Sequence, residues 1–119
     1  MNNYSIKKIL VPVDLSESSL NALETAVALT IQHHAQLHIL YVDESDYAFK
    51  DDLKATTLHS TNPSDVLFAL SGAISHTHDI QPVVYEREGN VSELILKMSF
   101  VQKFDLIVMG KHGASRYRE

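Results

Sequence analysis

Near its end the chain runs from four apolar residues, Leu106 to Met109, into Gly110-Lys111-His112-Gly113. Glycines spaced this way can let backbone N–H groups approach an anion, because no Cβ stands between them and the ligand. Gly110 can adopt a positive φ there. Lys111 and His112 add positive charge between the glycines, and Arg116 and Arg118 follow. The spacing alone is weak evidence, since a turn leaving a strand also favours glycine. It is neither the phosphate loop G-x-x-x-x-G-K-[ST] nor the dinucleotide fingerprint G-x-G-x-x-G.

Asp14 is the acid that stands out. It follows Pro12-Val13 at the end of an apolar run, where a carboxylate can bond either the start of a helix or a ligand. Seven histidines raise the question of a metal. Zinc needs three or four convergent ligands with further support behind them. His33 and His34 diverge on a helix, His38 belongs to a strand, and His76 and His78 fall near a helix end, where they complement its dipole. Surface or helix-end roles are expected, with no metal. The pairs Asp51-Asp52 and Glu86/Glu88 read as solvated charge. Ser16, Ser18 and Ser19 lack the G-x-S-x-G elbow of a nucleophile and read as caps.

These residues need elements to hold them. Ile6–Val13, "IKKILVPV", is apolar on both faces near its end, as a buried parallel strand is. A helix follows, capped by Asp14 or Ser16, with an inner stripe of Leu20, Leu23, Val27 and Ile31. "QLHILYV", Gln36–Val42, is a second strand. Asp43–Thr61 has no clear period and is expected to be a functional loop or a weakly patterned helix. Asn62-Pro63 restarts helix with a cap and an N1 proline. Ile80–Tyr85 is a third strand, placed at an edge by Pro82, which cannot donate to a ladder. Asn90 opens a third helix along Val91, Leu94, Ile95, Met98 and Val101. Asp105–Met109 is a fourth, buried strand. Strand–helix alternation of this kind makes an α/β domain with a parallel sheet covered on both faces. In such sheets ligands bind beyond the carboxyl ends of the strands, where their order reverses.

Composition narrows the field. A chain of 119 residues is expected to form a single domain, here residues 1–119. A net charge of −5 argues against a nucleic-acid binder. No apolar run reaches membrane-spanning length, and "MNNYSIKK" reads as no signal peptide. The absence of cysteine excludes disulfides and thiolate chemistry. A cytoplasmic location is the expectation.

"KKILVPVDLSESSLNALETAVAL", "LHILYVDE" and "FDLIVMGKHGASRYRE", in that order, resemble a universal stress protein domain. The resemblance implies a Rossmann-like three-layer sandwich with a parallel sheet ordered 3-2-1-4-5. It further implies ATP, with or without Mg2+, held as follows. Pro12 and Val13 line the pocket, Asp14 sits near the adenine and ribose, and Val42 meets the adenine through its backbone. Met109, Gly110, His112 and Gly113 begin the phosphate loop. The family motif continues with nine residues and G-[ST], a span that would pass Glu119, the last residue here. The expectation is therefore a domain lacking the final helix and fifth strand, with half of the phosphate motif. Self-association as a homodimer or larger is implied, as is a regulatory role in stress with at most slow ATP hydrolysis, since only His112 offers a base. The alternative is a stress protein that works through protein contacts without nucleotide. A nucleotide-handling enzyme on a related fold would need further catalytic residues or domains.

Overall fold

The computed structural model describes residues 5–44 and 62–111. Seven elements alternate along these residues: β1 (Lys8–Val13), α1 (Glu17–His33), β2 (Gln36–Asp43), α2 (Pro63–His78), β3 (Val83–Glu88), α3 (Val91–Gln102) and β4 (Leu106–Ile107). The four strands form one sheet in the order β3-β2-β1-β4, and all its pairings are parallel. Apart from Asp43 and Glu44, the aperiodic stretch Asp43–Thr61 lies outside the described residues.

β1 and β2 are apolar on both faces because both faces are covered. Ile9, Leu10, Val11, Leu37 and Leu40 have no exposed surface, and each such side chain contributes about 1.5–3 kcal/mol on burial. Alternation along the strands divides the core in two. Ile9, Val11, Val13, Leu37 and Ile39 pack with Leu23, Val27, Leu67 and Ile74, so α1 and α2 share one face. Leu10, Leu40 and Val42 pack with Val91, Leu94, Ile95 and Met98, so α3 covers the other.

The helix ends follow their expected chemistry. Ser16 accepts from the Ser19 N–H, Asn62 from Ser64 and Asn90 from Glu93. At the other ends, His34, Asp79 and Lys103 adopt the left-handed conformation that glycine usually supplies. His76 and His78 occupy the last turn of α2, as expected of helix-end histidines.

Several expectations need correction. Ile31 and Val101 are 47% and 76% exposed, while Thr30 is buried and Gln102 turns inward to bond Tyr85 and Lys8. The inner stripes of α1 and α3 are thus rotated by one residue near their C-terminal ends. β3 begins after Pro82, not before it, and runs on through charged Arg87 and Glu88. β3 is an edge strand as expected, though Pro82 precedes it and takes no place in its ladder. β4 is two residues long and half-covered, not fully buried. Leu106 and Val108 reach the α1 face, while Ile107 and Met109 stay exposed.

This short strand is pinned at its entry by a carboxylate. Asp105 Oδ2 accepts from the N–H groups of Lys7 and Lys8, at 2.9 and 3.0 Å. Those two bonds hold the Asp105 carboxyl below its ordinary 3.8. The stability they contribute is present above that value and lost as pH falls below it. Asp105→Ala should therefore lower the melting temperature at neutral pH, with the gap to wild type narrowing as pH falls below the ordinary 3.8. Thermal melts across that range check this.

Candidate functional site

The chain reaches β3 by stepping outward from β1 through β2, then crosses back under α3 to β4 on the far side of β1. The strand order reverses between β1 and β4, so a crevice opens at their carboxyl ends. Asp14 leaves β1 on one side of it, and Met109, Gly110 and Lys111 leave β4 on the other.

The turn after β1 is tightly bonded. Asp14 Oδ1 accepts from the Ser16 N–H at 3.0 Å. The Asp14 N–H donates to Ser19 Oγ at 3.1 Å, and that hydroxyl donates to the Ser16 carbonyl at 3.2 Å. Ser16 is the N-cap, so Asp14 shapes the turn before the helix and does not cap it. Leu15 between them has φ 67°. A branched side chain in this conformation costs about 1–2 kcal/mol. The strain directs an exposed aspartate out of the strand end while Leu15 packs on the core.

Gly110 meets this turn directly. A Cβ built on it would lie 2.9 Å from both the carbonyl oxygen and Oγ of Ser18. Among the described glycines only Gly89 has a positive φ. Glycine at 110 is required by close approach; the positive φ open to it is not adopted. The contact seats the strand-end loop against the first turn of α1. Beside it, on the α1 face, an open depression of about 630 Å³ is lined by Ser18, Asn21, Thr25, Val108, Gly110 and Lys111. It shares Met109 and Gly110 with the expected site, but Pro12, Val13, Asp14 and Val42 are not among its walls.

The remaining candidates fall as follows. β1 pairs with β2 as far as Val13↔Tyr41, whereas β2 pairs with β3 through Asp43↔Glu88. Val42 and Asp43 thus run past the end of β1. The side chains of Val13 and Val42 are buried in opposite halves of the core, leaving main chain as what either can offer a ligand. Pro12 is half-buried. Tyr41 reports the local field: burial, then the carboxylates of Asp43, Asp14 and Glu86, push its phenol above the ordinary 10.0. The crevice is acidic at β1 and β2, and Lys111 supplies positive charge at β4. His112 and Gly113 lie outside the described residues. Among the described residues, no group of three or more His, Asp or Glu is placed to hold a metal ion, and no helix is long and apolar enough to cross a membrane.

His38 was missed from sequence. It is 3% exposed, lies against Tyr85 and Phe104, and bonds side chains through both ring nitrogens. Its even position, on the face of Leu10 and Leu40, was the available signal.

The profile of the universal stress protein family matches residues 5–119. The chain belongs to the universal stress protein family. Solved structures agree. Universal stress protein UspA from Lactobacillus plantarum is 25% identical and superimposes with a TM-score of 0.73 over 98% of this chain and 86% of that one. A universal stress protein family protein from Arabidopsis thaliana, with AMP bound, is 18% identical with a TM-score of 0.57, covering 90% and 77%. A universal stress protein in complex with cAMP is 17% identical with a TM-score of 0.61, covering 87% and 71%. No curated protein sequence matches the chain.

The Gly110 contact makes a prediction with an internal control. Gly110→Ala should destabilise by about 1–3 kcal/mol, because backbone at Ser18 must move. Gly72→Ala inside α2, where a Cβ meets nothing within 4 Å, should stabilise by about 0.5–1 kcal/mol. Urea denaturation of the two variants measures both signs.

Proposed function

We propose that this universal stress protein binds an adenine nucleotide in the crevice between β1 and β4 and serves as a regulatory module in a stress response. The observation that carries the reading is the meeting of Gly110 with the α1 turn at the strand-order reversal. The parts divide the work by chemistry. Asp14 accepts from ribose hydroxyls, the main chain of Val42 meets the adenine, and Pro12 and Val13 form the wall beneath. Met109, Gly110 and Lys111 lead the phosphates toward His112 and Gly113. The AMP and cAMP held by two structural relatives support the nucleotide class; ATP is the ligand we propose for this chain. Its phosphates would carry Mg2+ with few protein ligands, as that ion usually binds. Carboxylates at the strand ends suit a ribose better than bare phosphate, which the Lys111 side would receive. Calorimetric titration with Mg-ATP, AMP and cAMP should show saturable binding. Gly113→Val should reduce it at least tenfold by placing a branched side chain at the phosphates. Unchanged affinity in that variant, or no binding by any of the three, overturns the site.

A second reading is favoured by one observation. Leu96, Phe100 and Val101 on α3 are 70%, 83% and 76% exposed, more apolar surface than one helix ordinarily leaves to solvent. We infer a role through protein contacts, self-association first. Sedimentation should show mass rising with concentration, and replacing Phe100 with Glu should reduce it. A wild-type monomer throughout the micromolar range overturns this reading.

A further inference from the structure

Under α3 a relay of side chains crosses the lower half of the sheet. Lys8 Nζ donates to the Gln102 carbonyl and to its Oε1, each at 3.1 Å. Gln102 Nε2 donates to the Tyr85 hydroxyl at 3.1 Å. That hydroxyl lies 2.9 Å from His38 Nδ1, and His38 Nε2 lies 2.8 Å from Gln36 Oε1. The relay joins β1, β2 and β3 to the last turn of α3. Its polarity assigns the tautomer. Gln36 Oε1 only accepts, so Nε2 carries the proton; Nδ1 then accepts from Tyr85, whose oxygen is left to accept from Gln102.

We propose that His38 is a proton-operated latch, which while neutral fastens the C-terminal end of α3 to the sheet and on protonation releases it. With both ring nitrogens donating, the Tyr85 oxygen must accept from His38 and Gln102 together, and its own hydrogen loses its acceptor. Among the described residues, the charge that bears on the new cation is that of Lys8. The groups around the ring, among the described residues, are Lys8 from β1, Tyr85 with Arg87 stacked over it from β3, Gln102 from α3, Phe104 beyond it, and Gln36 on its own strand. The Asp105 carboxylate bonds the backbone amides of Lys7 and Lys8. Burial first, and Lys8 second, hold the imidazole below its ordinary 6.5. A ring that resists protonation when latched takes it up more readily when released, so acid favours release below about pH 6.5. The other end of α3 bears on the overhang of β2: the Val91 N–H donates to Glu44 Oε2 at 3.1 Å. Release is thereby linked to the strand ends whether or not they hold a nucleotide.

Amide exchange in the last turn of α3, followed by NMR from pH 7.5 to 5 and corrected for the intrinsic rate, tests this. The opening equilibrium should be flat above about pH 6.5 and rise by up to tenfold per pH unit below it. His38→Leu should flatten the profile. Tyr85→Phe should raise opening at pH 7.5 by removing the hydroxyl that joins Gln102 to His38. A flat wild-type profile overturns the latch, as does a slope that survives in His38→Leu, which would assign it to another histidine. If neither variant folds, the wild-type ring decides: titration of His38 at or above 6.5 overturns the proposal, and titration below it, together with the wild-type slope, upholds it.

Discussion

β1 and β2 bury both faces, and the rest of the structure answers to that requirement. A parallel sheet leaves no backbone for water on either side of its centre, so helices must lie above and below, and each must present a continuous apolar stripe. α1 and α2 meet the demand on one face by simple repetition, each carrying the chain one strand further out. The other face can be reached only by a connection that crosses back. α3 is that connection, and the sheet acquires a reversal of strand order as a by-product of covering its second face.

The crevice follows from the same geometry. At the reversal, the turns leaving β1 and β4 face each other across the strand ends, where a ligand can meet main chain from both. What is particular to this chain is how closely the loops approach. Gly110 sits against Ser18 with no room for a methyl group, and Leu15 adopts a left-handed conformation so that Asp14 can fold back on Ser16. Both features are local costs, one in lost side-chain packing and one in backbone strain. They fall at the strand ends, whereas the centre of the sheet is conventionally packed.

The architecture was legible because periodicity reports burial. The double-faced runs of β1 and β2 and the caps at Ser16, Asn62 and Asn90 each follow from short-range chemistry. Universal stress protein membership rested on the order of three segments, which no single motif would have supported. Misreadings arose where tertiary contacts choose between adjacent residues. Val101 fits the stripe of α3 by spacing, yet Gln102 is turned inward because Lys8 and Tyr85 offer it partners. Ile31 and Thr30 also exchange places, although the buried Thr30 hydroxyl has no hydrogen-bond partner among the described residues to draw it inward. The reason for glycine at 110 was also illegible, since a sequence pattern does not distinguish a positive φ from a neighbour 2.9 Å away.

His38 shows why a polar residue can occupy a core position in such a sheet. A leucine there would add apolar burial but leave the Tyr85 hydroxyl without an acceptor beneath the helix, at a cost of about 1–3 kcal/mol. With imidazole, two aromatic neighbours retain their packing and every polar atom in the relay has a partner. The relay also helps to set a register: Gln102 meets Tyr85 only when α3 lies at one position along the sheet. Apolar contacts hold α3 to the second face, and the hydrogen bonds help to set where on that face it rests. The overhang of β2 depends on that placement, because Glu44 reaches the Val91 N–H only when the helix begins where it does.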